Sequence, residues 1–222
     1  EVLTANDPRN AGAFDEAHYR NEDVDPEEFS TIVAELGMEV GDELDAYVQE
    51  LELSEAVTQR LNRARNLAAE KPYVLGGMDE EGVGLYALVR AIQPDRAVEI
   101  GVANGVSSLY VLAAMEMNGH GTLVSIDKPK YEADHEGDWH DSAGAWIPTG
   151  REVGWVVPEV FRDNWNVIVG DMRDELSRVL EGDSVDLFVY DGPKAYHARF
   201  WALQEAYASA TPSTVFICDD LL

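Results

Sequence analysis

Positive charge is scarce in this chain. Lysine and arginine together number 16 against 43 acidic residues, and only four of the 222 residues are lysine: Lys71, Lys128, Lys130 and Lys194. That argues against a nucleic-acid partner, whose phosphates are held by clustered Lys and Arg. Cysteine is nearly absent as well. Cys218 stands alone inside the apolar run TVFIC, so no intrachain disulfide can form and a buried thiol is expected. No stretch approaches the roughly 18 uninterrupted apolar residues of a membrane span, and the N-terminus lacks a basic region followed by an apolar one. A soluble, cytoplasmic protein without a membrane partner is the expectation. Two glycine patterns are missing too, the GxGxxG of dinucleotide folds and the GK[ST] ending of a phosphate loop, which argues against NAD and ATP. The first residue is Glu1 rather than Met, which predicts that the natural start lies earlier.

What is abundant is acid. The net charge of −27 is spread from end to end and not collected in a tail. Such a surface repels itself in dilute buffer, whereas molar salt shortens the Debye length to about 3 Å and removes most of that penalty. The pattern predicts a halophilic protein of a high-salt cytoplasm, with an ordinary acidic protein as the alternative.

With 45% hydrophobic residues the chain can build a substantial α/β domain, residues 83–222, behind a smaller N-terminal element, residues 1–82. The first 25 residues are polar and read as an extended arm. Asp25, Pro26 and Glu28 then look like the start of a helix carrying Phe29, Ile32, Val33 and Leu36. A second helix starts at Ser54 with Val57, Leu61, Ala64 and Ala68 on one face, and a third carries Leu85, Leu88, Val89 and Ile92. These helices are expected to pack on the main domain or on a second subunit, which would make a homo-oligomer.

From residue 97 strand and helix signals alternate: AVEI, a helix over 105–117, TLVSI, a long irregular segment, NVIV, a helix over 172–181, DLFVY, a helix over 195–210, and TVFIC. Short, uniformly apolar strands in repeated βα units predict a doubly wound, mostly parallel, Rossmann-like sheet covered on both faces. Ligands of such sheets sit beyond the carboxyl ends of the strands, where Gly101, Asp127, Asp171 and Asp191 all fall. The turn from Gly101 to Gly105 would bring backbone N–H groups and a helix N-terminus close to a ligand, and Asp127 could accept from two ribose hydroxyls. Together they predict a nucleoside cofactor. Asp171 is equally placed to be an ordinary helix cap.

Asp191, Asp219 and Asp220 end neighbouring strands. Three carboxylates at one sheet edge repel unless neutralised, and a hard divalent cation such as Mg2+ with oxygen ligands is the natural candidate. A helix cap and a solvated acidic pair are the alternative. The segment over 128–165 is long for a crossover and holds Trp139, Trp146, Trp155 and Trp165, so it is expected to cover the cofactor or acceptor pocket, or simply to pack onto the domain. His135 and His140 match no usual metal spacing.

In order, VEIGVANGVSS at 98–108, SID at 125–127, VGD at 169–171, YDGPK at 190–194 and CDD at 218–220 resemble the motifs of class I S-adenosylmethionine-dependent methyltransferases. The chain looks most like O-methyltransferases of the catechol and macrocin types, with Ala103 marking that variant of the glycine motif. The resemblance implies that the methionine end of S-adenosylmethionine lies beside Glu99, Gly101, Ala103, Gly105 and Ser107. It places the ribose on Asp127 and the adenine beside Asp171 and Met172. It also implies metal ligation at Asp191, Asp219 and Asp220, although the last position is Asn in the metal-dependent relatives. Lys194 falls where the catechol-type enzymes place a lysine beside the attacking oxygen, and its role would be to accept or share the hydroxyl proton. A solvated lysine is the bland alternative, and His197, one turn on, is a second candidate base.

The expected activity is methyl transfer to a hydroxyl, or a carboxyl oxygen, of a small-molecule or sugar acceptor. A non-catalytic cofactor-binding regulator and a nucleotide-linked Rossmann oxidoreductase are the alternatives. Class I enzymes add a strand pair after the fifth strand, so the natural chain is expected to continue beyond Leu222.

Overall fold

The computed structural model describes residues 43–71, 74, 78–135 and 145–219. The extended arm, the helix expected from Asp25, and Trp139, His140 and Asp220 lie outside the described residues.

Among the described residues three helices come first: α1 (Glu43–Leu53), α2 (Glu55–Glu70) and α3 (Met78–Ile92). The α2 pattern behaves as its spacing dictates, with Val57, Leu61 and Ala64 buried on one stripe. The expected boundary at residues 82 and 83 falls inside α3. There follow β1 (Arg96–Ile100), α4 (Val106–Asn118), β2 (Thr122–Asp127), β3 (Trp165–Val169), α5 (Met172–Leu180), β4 (Val185–Tyr190), α6 (Tyr196–Ala208) and β5 (Ala210–Cys218).

The five strands form one sheet in the order β3-β2-β1-β4-β5, and every neighbouring pair is parallel. The doubly wound expectation therefore holds. Successive side chains of a strand point to opposite faces. Ala97, Leu123, Leu187 and Val189 bury against α1 to α4 and the segment from Ile147 to Phe161. Val98, Ile100, Ile126, Phe188 and Tyr190 bury against α5 and α6. Apolar side chains on both faces explain why the strands read as continuous hydrophobic runs.

The chain runs from β1 outward to β2 and β3, then returns to place β4 on the other side of β1. The switch point is therefore the gap between the carboxyl ends of β1 and β4, where a doubly wound sheet opens a crevice for its ligand.

Candidate active site

At the end of β1 the Gly101 N–H donates to the Ile126 carbonyl at 2.9 Å, and the chain then turns sharply, the Gly105 N–H donating to the Val102 carbonyl at 2.7 Å. Gly101 has φ +93°, and a Cβ there would lie 2.2 Å from the carbonyl oxygen of Asp191. Only glycine lets the tip of β4 approach this closely. Ala103 also takes a left-handed conformation, φ +46°, and Gly105, at φ +87°, packs against the backbone of Gly154.

Asp127, at the tip of β2, faces this turn. Its Oδ1 accepts from the Val102 N–H and its Oδ2 from the Ala103 N–H, both at 3.3 Å. Burial pushes its carboxyl up, and the two backbone donors pull it down. These long bonds use one acceptor direction of each oxygen, so both oxygens keep capacity for the vicinal hydroxyls of a ribose. The residues thus fit the ribose of a nucleoside cofactor.

Glu99, two residues after Ala97 and so on the same face of β1, is fully buried. Its Oε1 accepts from Ser107 at 2.6 Å, and its Oε2 accepts from Ser108 at 2.7 Å and Ser125 at 2.6 Å. Burial raises its carboxyl while the serine hydroxyls oppose that rise. Glu99 and Ser107 therefore tie the first turn of α4 to β1 and β2. Trp165 extends the network, its Nε1 donating to Ser125 Oγ at 2.9 Å.

Asp171 is the N-cap of α5: its Oδ1 accepts from the Arg173 N–H at 3.0 Å, and Lys128 donates to its Oδ2 at 3.0 Å. The Arg173 N–H, then Lys128, hold its carboxyl below the usual range. Met172 is buried among Leu176, Val179 and Leu180.

Across the switch point, Lys194 Nζ lies 2.5 Å from Asp191 Oδ1 and 3.1 Å from Asp219 Oδ2. The Asp219 N–H donates to the Tyr190 carbonyl at 2.9 Å, which sets the tip of β5 beside that of β4. Burial pushes the Asp191 carboxyl up to about 7, Lys194 opposes the shift, and the neighbouring Asp219 adds to it. So the structure brings Asp191, Asp219 and Lys194 together, with an ammonium between two carboxylates. Among the described residues no group of three His, Cys, Asp or Glu is placed to hold a metal ion, and the third expected ligand, Asp220, lies outside them. His197 is exposed and lines a cavity of about 380 Å3 with Arg173 and Trp201. Cys218 is half-buried in the sheet, and burial raises its thiol.

In the long segment between β2 and β3, residues 154–156 pack onto the turn. Trp155 is buried in the core, the Gly154 N–H donates to the Ala103 carbonyl at 2.9 Å, and the Val156 N–H to the Asn104 carbonyl at 3.0 Å. Sequence reasoning passed over Asn104, which is 2% exposed and stands at the centre of these contacts. A short polar residue inside a tight turn was the only available signal.

A parallel sheet of this order, with a glycine turn and facing acid at its switch point, defines a Rossmann-like domain built for a nucleoside-bearing cofactor. The chain belongs to the methyltransferase-domain family, whose model matches residues 98–221. Its fold is shared with the O-methyltransferase of Bacillus cereus solved with S-adenosylhomocysteine, at 17% identity over 79% of this chain and 71% of that one, TM-score 0.52. It is shared also with the O-methyltransferase TomG of Streptomyces achromogenes, involved in tomaymycin synthesis and solved with S-adenosylmethionine, at 19% identity over 78% of this chain and 70% of that one, TM-score 0.50. A Klebsiella pneumoniae structure matches at 20% identity over 74% of this chain, TM-score 0.50, and this chain spans only 64% of its length. No curated protein matches the sequence. Among the described residues no helix is long and apolar enough to cross a membrane.

Proposed function

We propose that this protein transfers the methyl group of S-adenosylmethionine to a hydroxyl oxygen of a small-molecule or sugar acceptor. One observation carries the reading. The turn that would hold the cofactor touches the strand tip that bears the proton-accepting cluster, since a Cβ on Gly101 would sit 2.2 Å from the Asp191 carbonyl oxygen. Family membership supplies the reaction class, and the fold relatives solved with this cofactor or its demethylated product support its choice.

When bound, S-adenosylmethionine supplies an activated methyl group on a sulfonium sulfur, so what falls to the protein is alignment, deprotonation and exclusion of water. Asp127 holds the ribose hydroxyls, and the turn from Gly101 to Gly105 fixes the cofactor's approach to β4. Asp191 takes the acceptor's proton. A carboxylate near neutrality is well matched to that task, because proton transfer is most efficient when the base's pKa lies close to the working pH. Lys194 keeps Asp191 and Asp219 oriented and offsets the negative charge that grows on the acceptor oxygen. Of the three acids expected to hold a cation, Asp191 and Asp219 stand beside Lys194 and Asp220 lies outside the described residues.

The test is transfer of labelled methyl from S-adenosylmethionine to a panel of hydroxyl-bearing acceptors, with and without excess chelator. Transfer that persists in chelator and falls at least tenfold in Asp191→Ala supports the reading. Tight cofactor binding with no transfer to any acceptor favours a regulator, and loss of all transfer in chelator restores the cation.

A further inference from the structure

Asn104 joins distant pieces of chain at this site. Its Nδ2 donates to the Val74 carbonyl at 2.6 Å and to the Trp146 carbonyl at 3.0 Å, and its Oδ1 accepts from Trp155 Nε1 at 2.6 Å. Both N–H donors and one lone pair of the amide oxygen are therefore used, inside a pocket that leaves it 2% exposed. Val74 lies in the connection between α2 and α3, whereas Trp146 and Trp155 belong to the long segment between β2 and β3. The Asn104 backbone adds a fourth tie by accepting from the Val156 N–H at 3.0 Å.

Asn104 follows Ala103, whose φ of +46° is a left-handed conformation that non-glycine residues rarely adopt. A conformation of that kind persists only where the surroundings over-determine it. The surroundings are these bonds, together with the Gly154 N–H on the Ala103 carbonyl. The same strained stretch presents the Val102 and Ala103 N–H groups to Asp127. A change at Asn104 thus reaches Asp127 through two adjoining residues, although the bonds of its own side chain go to Val74, Trp146 and Trp155.

We propose that Asn104 is a positioning residue for the cofactor. By clamping the Val102–Gly105 turn to the α2–α3 connection and to the segment between β2 and β3, it sets the geometry in which Asp127 and the turn receive S-adenosylmethionine. This inference rests on the proposed function, because it presumes that the cofactor binds at this turn. Its consequence is a division of labour at one turn: Asp127 and the backbone receive the cofactor, and Asn104 holds the turn.

Three substitutions separate positioning from mere support. Asn104→Asp keeps the size and the acceptor for Trp155 but sets an oxygen against the carbonyls of Val74 and Trp146. Asn104→Ala removes all three bonds, and Trp155→Phe removes only the indole donor while keeping an aromatic ring. S-adenosylmethionine is titrated calorimetrically into the full chain at a temperature where each variant is folded by circular dichroism. The dissociation constant is expected to rise at least tenfold in Asn104→Asp and Asn104→Ala, and by a smaller factor in Trp155→Phe. In turnover the KM for S-adenosylmethionine should rise while the KM for the acceptor stays put. Folded variants that melt earlier but bind the cofactor within twofold of wild type would overturn the proposal and leave Asn104 a structural residue. Should the Asn104 variants not fold, an unchanged affinity in Trp155→Phe overturns it alone. A wild-type chain that does not bind the cofactor removes the proposed function and this inference together.

Discussion

Gly101→Ala is the perturbation whose effect the structure sizes best. A methyl group there would lie 2.2 Å from the Asp191 carbonyl oxygen and 2.8 Å from its carbonyl carbon, where ordinary contact begins near 3.4 Å. The tip of β4 or the turn must therefore move by about 1 Å, and neither is the free end of a flexible side chain. Displacement of that size at reacting groups costs on the order of 100-fold in rate. The φ of +93° adds about 1–2 kcal/mol of backbone cost. For a domain of this size, each ~1 kcal/mol lowers the melting temperature by about 2–4 °C. The assay is labelled methyl transfer to the best acceptor of the wild-type protein, beside a thermal melt. Gly119→Ala is the control: it has φ +77° with nothing within 4 Å of the added Cβ, so it carries conformational cost without a clash. We expect both variants to melt early and only Gly101→Ala to lose turnover. A Gly101→Ala protein that keeps more than a third of wild-type turnover would refute the contact between the cofactor turn and the tip of β4.

The raised carboxyl of Asp191, about 7, predicts a rate that climbs with pH through neutrality as the proton leaves, and then levels. The same shift gives stability that is fully present below the ordinary value of 3.8 and is lost as pH rises through about 7. In Asp191→Asn the ascending limb should vanish, with a rate lower by about 100-fold or more, and a profile identical in shape to wild type would assign the base elsewhere. Glu99→Ala strands three buried serine hydroxyls, at roughly 1–3 kcal/mol each, so urea unfolding should show a loss of about 3 kcal/mol or more. Glu99→Gln should lose less, since the hydroxyls can turn to accept, and an equal loss would mean that the charge is essential. If the acidic surface serves in molar salt, the melting temperature should rise steeply from dilute buffer to molar KCl; a flat response would make it an ordinary acidic protein.

Much of the scaffold is legible in the sequence because it depends on local pattern. The runs AVEI, TLVSI, NVIV, DLFVY and TVFIC all became strands, since uniform apolarity over about five residues can only be satisfied between two covering layers. The helix at Glu55–Glu70 follows from its apolar spacing, whereas α1, Glu43–Leu53, has a pattern too weak to have been read. The site divides the same way. Asp127 and Gly101 are legible because strand ends and tight turns are local events. The partners of Glu99 are less so, because β1 buries it among serines from α4 and β2, and Ser125 is distant in sequence. The ion pairs of Lys194 with Asp191 and Asp219 depend on the order of β4 and β5 and on a side-chain rotamer. Asn104 was invisible for the same reason: its partners are 30, 42 and 51 residues away.

The central claim is that S-adenosylmethionine lies across the turn after β1 with its ribose on Asp127. Calorimetric titration of S-adenosylhomocysteine into the wild-type chain and into Asp127→Ala tests it most directly. One binding site per chain in the wild type, weakened at least tenfold by the substitution, is the predicted result, since hydrogen bonds to a charged group contribute about 1.5–3 kcal/mol each. A wild-type titration without heat at several temperatures, or an affinity indifferent to Asp127, would contradict it.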